Sequence, residues 1–292
     1  VHPGGVSRSA KGQGERIYGS DTIMKRLHLD ASVICRLDAA EHAFFGGIAR
    51  ATNQMAGSDV CTVIEKRGFR TFFAPTVSDP LFNRMIISTE GDVAEVCAVL
   101  DGQFGEGQRH IEVSPGALNQ ELSSALSARG YAQTQFLPVL VNYADNVSAE
   151  EPKLDVRLLG EEDELSTFKK VLVAGWTIPP AELPETLAAS VEEWMKLSGF
   201  SLLLALQGDE AVSCGILHCF DGIAFLAVSA TPPQCRGRGG QSAIDRARVN
   251  AAKRANVELI FSRTYFASVS QRNKEKLGLN VAYMRAEWTK LS

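Results

Sequence analysis

The chain has 292 residues, a length that allows one or two domains; 45% are hydrophobic, 22% charged and 8% aromatic. That mixture belongs to a globular chain with a sizeable core, not to a disordered or fibrous one. Acidic residues outnumber basic ones by 34 to 30, for a formal net charge of −4, which argues against a protein built to coat nucleic acid or an anionic membrane.

The six cysteines (Cys35, Cys61, Cys97, Cys214, Cys219, Cys235) form no C-x-x-C pair, and most sit in apolar runs such as VAEVCAVL and VSCGILHCF. They read as small buried hydrophobes rather than disulfide partners. The five histidines (His2, His28, His42, His110, His218) lack ligand spacing, so no metal is expected. No apolar run is long enough to span a bilayer, and a cytoplasmic location is the expectation. Residues 1–26 are rich in Gly, Ser and basic side chains without a signal-peptide core. They read as a disordered leader or a vector-derived remnant, with Met24 a plausible alternative start.

In chain order, residues 83–88 (NRMIIS) fit a strand and 91–104 a helix. A strand at 110–113, a helix at 118–128 stopped by Gly130, and a strand at 136–141 follow. The polar stretch 142–153 (NYADNVSAEEPK) has little to bury and reads as a linker. Next come a short strand at 156–159, a helix at 161–173, a Pro-rich loop at 176–184 and a helix at 185–197. Strands at 200–206, 211–220 and 223–230 are joined by tight turns at 207–210 and at Asp221-Gly222. A Gly-rich loop leads into a long helix from about Gln241 to Ala255. A strand at 257–263, a helix at 268–277 ending at Gly278, and a strand at 281–288 close the chain.

The second half therefore reads β-α-α-β-β-β-α-β-α-β, a mixed sheet with helices on both faces. The stretches ALSARGYAQTQFLPVLVNY and RNKEKLGLNVAYMRAEW share a helix, a Gly stop and an alternating strand. That likeness points to a degenerate internal duplication. The expected fold class is α/β with a mixed (α+β) sheet in two tandem units, 27–145 and 154–292.

The Gly-rich loop carries the chemistry. An apolar strand runs through Thr231-Pro232-Pro233 into Arg236-Gly237-Arg238-Gly239-Gly240-Gln241 and directly into a helix. Glycines permit positive φ and close approach of the backbone to a ligand. The helix start adds unpaired N–H groups and the positive end of its dipole, an anion site suited to phosphate. A Walker loop would need Gly-Lys-[Ser/Thr], and a dinucleotide fingerprint would need G-x-G-x-x-G; neither is present. An RNA-binding RGG segment would recur in disordered sequence, whereas this one is single and sits between a strand and a helix.

The passage resembles the pyrophosphate loop of the GNAT superfamily of acyl-CoA N-acyltransferases, Gln/Arg-x-x-Gly-x-Gly/Ala. It can be laid on Arg236–Gln241, with Ser242 and the following residues falling into place; a register two residues earlier, starting at Gln234, also fits the letters. The stretch from Phe261 through Ser268, Ser270 and Asn273 to Leu277-Gly278-Leu279 is similar to the family's last motif, with Leu279 where Phe is usual. The resemblance covers about 156–288. The first unit resembles the degenerate N-terminal repeat of tandem members, with only Gly91 where a phosphate loop would be, and should not bind coenzyme A by that route.

The resemblance implies a splay between the fourth and fifth strands of the second unit. There Val228, Ser229 and Ala230 would pair with the pantetheine of acetyl-CoA, the amides of Arg236, Gly237, Arg238, Gly239, Gly240, Gln241 and Ser242 would hold its pyrophosphate, and Ser270 and Asn273 would hydrogen-bond the cofactor. It implies direct attack by the primary amine of a small molecule on the thioester, which needs a proton acceptor, an oxyanion donor and an acid for the thiolate. The usual acid is a Tyr in the last helix just before Leu-Gly-Phe, and QRNKEKLGL has none. Tyr265 and Tyr283 are the substitutes. Glu210, His218 and Asp221 are the candidate bases, alongside deprotonation through water, and Trp176 would line the acceptor side. A non-catalytic acyl-CoA sensor is the alternative reading. No nucleic-acid or membrane partner is expected, and the chain could be a monomer or a homodimer.

Overall fold

The computed structural model describes residues 26–75, 82–89, 91–102, 110–148, 150–160, 162–175 and 185–291. The first half runs α1 (Ala31–Ala56), β1 (Thr62–Lys66), β2 (Phe69–Phe73), β3 (Asn83–Ile87), α2 (Val93–Gly102), β4 (His110–Val113), α3 (Gln120–Ala128) and β5 (Tyr131–Tyr143). The second half runs β6 (Asp155–Leu158), α4 (Glu162–Gly175), α5 (Glu185–Met195), β7 (Phe200–Gln207), β8 (Glu210–Phe220), β9 (Ile223–Ala230), α6 (Gly240–Arg254), β10 (Leu259–Arg263), α7 (Val269–Lys276) and β11 (Asn280–Lys290). Its order is the one read from the sequence. The leader and the Pro-rich loop with Trp176 lie outside the described residues.

The order β1-β2-β3-α2-β4-α3-β5 repeats as β7-β8-β9-α6-β10-α7-β11. In both, the pair flanking the crossover helix is parallel: β3 with β4, and β9 with β10. The eleven strands among the described residues join one sheet, ordered β1-β2-β3-β4-β11-β5-β10-β9-β8-β7-β6. Each half's last strand is exchanged: β11 lies beside β4, and β5 lies beside β10. The two exchanged strands pair with each other from Asn280 to Lys290. The sheet thus has no edge at the junction of the halves, and neither half completes its own set of strands.

Both faces of the sheet are covered, as alternation along β7 shows. Leu202, Leu204 and Leu206 enter the core under α1, α4 and α5, while Leu203 and Ala205 enter the core under α6. A third core places Val96, Leu100, Leu122 and Leu126 of α2 and α3 on Met85, Ile111 and Trp288. No helix among the described residues is long and apolar enough to cross a membrane.

Where the halves join, the interior is ionic. Arg84 of β3 bonds Glu41 of α1 at 2.8 Å and Glu112 of β4 at 3.0 Å. Arg285 of β11 donates to Glu112 at 2.9 Å and forms ion pairs with Glu41 at 2.8 Å and with Asp38 of α1. Arg263 of β10 pairs with Glu112. Burial alone would raise the pKa of Glu41, but the guanidiniums of Arg285, Arg84 and Arg263 hold it far below the usual carboxylate range.

Candidate functional site

β9 and β10 stay paired only through Leu259–Ile223, Ile260–Ala224 and Phe261–Phe225. Beyond that point β9 follows β8 instead, and it does so through a bulge. Leu217 faces Leu226 and Gly215 faces Ser229, so Ile216 opposes two residues, Ala227 and Val228. The strands part and a cavity of about 350 Å³ opens between them. Ala227, Val228 and Ser229 form one wall, and Ser262, Arg263 and Thr264 form the other. Phe44 and Phe45 of α1 and Leu137 of β5 close it from the first half of the chain. In the first half the matching strands do not part: β3 and β4 pair at all four positions from Arg84–His110 to Ile87–Val113.

The cavity leads toward the Gly-rich loop. Gly237 and Gly239 have φ of 79° and 84°, values that L side chains rarely adopt. Gly239 is the N-cap of α6, and no side chain caps that helix end. Gly240 lies so close to β8 that an added Cβ would stand 2.8 Å from the Ser213 Cβ. The first amides of α6 are thus left without a side-chain acceptor. The start of α2 differs, because there the Asp92 carboxylate accepts from the Ala94 amide at 2.8 Å. One helix end is available to an anion and the other already holds one.

Other predicted cofactor residues come together around this loop. Gln241 donates to Ser270 Oγ at 3.3 Å and accepts from Asn273 at 3.3 Å, tying α6 to α7. Ser242 follows in the first turn of α6. Arg236 is exposed, and Arg238 bonds Glu210 at 2.7 Å. The Val228 carbonyl accepts from Arg248 at 3.2 Å, and the Ala230 carbonyl accepts from Ser213 at 3.0 Å.

The proposed acids and bases separate. Tyr265 lines the cavity and is 55% exposed. Tyr283 does not line it: its hydroxyl donates to Asp38 at 3.3 Å, and burial followed by the Asp38 charge raises its pKa far above the ordinary phenol value. Glu210 sits at the start of β8 beside the Gly-rich loop, paired with Arg238. Asp221 forms the β8–β9 turn with φ of 47°. His218 packs among Phe44, Phe200 and Phe220. Burial lowers its pKa to about 4, against a backbone hydrogen bond to Ala40.

Sequence reasoning missed three charged residues at and behind the cavity. Lys274 of α7 lines it, is 1% exposed, and donates to Asp245 of α6 at 2.6 Å. Asp245 also pairs with Arg248, one turn along α6. Arg248 in turn donates to Ile216 O at 2.9 Å and to Ser229 Oγ at 2.8 Å. It thereby supplies a donor to the carbonyl opposite the bulge, where the ladder is irregular. The signal lay in the helix period: Asp245 and Arg248 share the buried stripe of Ile244, Val249 and Ala252, a place where unpaired charges are not found. Two residues past Tyr265, Ala267 holds φ of 57°. Its amide donates to Gln271 and its carbonyl accepts from Arg272, so α7 stabilises this strained turn.

No protein-family model matches the chain, and no curated protein matches it in sequence. Solved structures do. A GCN5-related N-acetyltransferase from Kribbella flavida superposes with a TM-score of 0.61 at 13% identity, over 91% of this chain and 97% of that one. One from Sphaerobacter thermophilus gives 0.57 at 12% identity, over 85% and 93%. A tandem GNAT protein from the clavulanic acid biosynthesis pathway gives 0.51 at 12%, over 80% and 79%. The chain has the GNAT fold in its tandem form.

Proposed function

We propose that the protein is an N-acetyltransferase that binds acetyl-CoA in its second half and passes the acetyl group to a primary amine of a small molecule. The observation that carries this reading is the continuity of the β9–β10 splay with the uncapped start of α6. A long, polar-ended cofactor with an anionic middle fits such a path: pantetheine along the opened strand edge, pyrophosphate on the helix amides. Acetyl-CoA is a cosubstrate here, and the chemistry it supplies is an activated thioester.

The acceptor would enter from the side formed by Phe44, Phe45, Leu137 and Tyr265, which is mostly apolar. A cavity of about 350 Å³ is of small-molecule size. A neutral amine attacking the carbonyl carbon gives a tetrahedral oxyanion; collapse breaks the C–S bond and leaves a thiolate that needs a proton. The sealed position of Tyr283 favours the second reading, a sensor that binds acyl-CoA without turning it over. Acetyl-CoA turnover with a panel of small primary amines, read as free thiol release, separates the two. Turnover on any amine supports the transferase; tight acetyl-CoA binding with no thiol released on any of them supports the sensor.

A further inference from the structure

We infer that Lys274 is the catalytic acid of this site: its ammonium protonates the coenzyme A thiolate as the C–S bond breaks. The inference rests on the acetyl-CoA reading above and adds a residue that neither tyrosine candidate supplies. Lys274 stands on α7, its side chain reaches the cavity between the parted strands, and Asp245 fixes its Nζ at 2.6 Å. It immediately precedes Glu275-Lys276-Leu277-Gly278, so the helix that ends the second half presents an ammonium to the cavity.

The charges around it tune the proton. Burial pushes its pKa down to about 8, against the attraction of Asp245 and with the repulsion of Arg248. Across the cavity stands Arg263, whose charge is met by Glu112 and Glu41. The coenzyme A thiol is no stronger an acid than a cysteine thiol, which titrates near 8.5 in water, so the Lys274 ammonium gives its proton to the thiolate downhill. The step balances. The amine nitrogen bonds to the acetyl carbon and the C–S bond breaks. The sulfur pair takes a proton from Lys274, and the neutral lysine is recharged by the proton the new amide nitrogen releases through solvent. A purely structural lysine would only neutralise Asp245.

The test uses the full chain with Lys274→Gln and Lys274→Met, both first checked for a wild-type circular dichroism spectrum and melting transition. Gln keeps a donor for Asp245 but has no proton to give. With the best amine of the panel, both variants are expected to lose on the order of 10²-fold in kcat, with the KM for acetyl-CoA little changed. The fall in wild-type kcat above about pH 8 should vanish in both. A second readout needs no acceptor: coenzyme A alone is titrated on the protein, with its thiolate followed by ultraviolet absorbance. The neighbouring ammonium should lower the thiol pKa in the wild type but not in Lys274→Met. A wild-type kcat and pH profile in Lys274→Gln, or a thiol pKa equal in wild type and Lys274→Met, overturns the inference and leaves the transferase reading standing. A shifted thiol pKa with no turnover on any amine overturns acetyl transfer and the acid role with it, leaving Lys274 only a neighbour of the sulfur. Failure of coenzyme A to bind overturns both.

Discussion

His218 shows how a single buried side chain ties stability to pH. Its imidazole is neutral in the folded chain, with a pKa depressed by burial from the ordinary 6.5 to about 4. The unfolded chain takes up a proton as pH falls through about 6.5, whereas the folded chain does not until about 4. Stability is therefore present above the unfolded value and is lost between these limits, by about 3 kcal/mol in all. Urea unfolding at stepped pH should show that slope in the wild type and a shallower one in His218→Leu; identical slopes would contradict the assignment. Glu112 makes a larger claim. It faces the buried Arg84 and Arg285 and the partly buried Arg263, so Glu112→Leu leaves three guanidiniums with only Glu41 and Asp38 to meet them. A loss of about 3–5 kcal/mol is expected for breaking such a buried network, measured by the same denaturation. A loss below about 1 kcal/mol would mean that the network relaxes or admits water.

At the scale of elements, α6 is placed by close approach to the sheet. A Cβ on Gly215 of β8 would meet Ile244 Cγ2 at 2.5 Å and the Val228 carbonyl at 3.3 Å. Gly215→Ala should therefore cost about 1–3 kcal/mol as an overpacked contact. It should also weaken acetyl-CoA binding, because the helix start moves with the helix; calorimetric binding and melting temperature check both effects, and unchanged affinity would detach the bulge from the site. These contacts also explain what could be read in advance. The loop from Arg236 to Gln241 was legible because positive-φ glycines before a helix leave a signature in the sequence itself. The strands from β7 to β11 were legible through tight turns and apolar runs. The 26-residue α1 was not, although Asp30 and Gly57 cap it, because Gly46 and Gly47 interrupt a segment whose buried positions are too numerous to leave a narrow stripe. Gly47 is there for packing: its added Cβ would lie 3.2 Å from the Phe200 ring. Lys274, Asp245 and Arg248 escaped notice because a charged residue reads as solvated until its partners, 29 residues apart for Lys274 and Asp245, are seen together.

At the scale of the molecule, exchange of β5 and β11 makes the two halves one cooperative object. No local pattern announces such an exchange, since each strand alternates correctly for either sheet; only the ladder of β5 with β10 and of β11 with β4 reveals it. The cavity inherits this arrangement, with the walls of β9 and β10 from the second half and Phe44, Phe45 and Leu137 from the first. Calorimetry should give a single unfolding transition, and residues 154–292 expressed alone should not fold; two separated transitions would contradict the picture. Of the two repeated helix starts, the one at Gly239 has no side-chain cap and the one at Asp92 is closed by a carboxylate, so the proposed function puts the single anion site at Gly239. Isothermal titration with acetyl-CoA tests that central claim most directly. One molecule should bind per chain, and Gly239→Glu, folded by circular dichroism, should abolish binding by placing a carboxylate at the helix start. Two molecules per chain, or undiminished binding to Gly239→Glu, would contradict it.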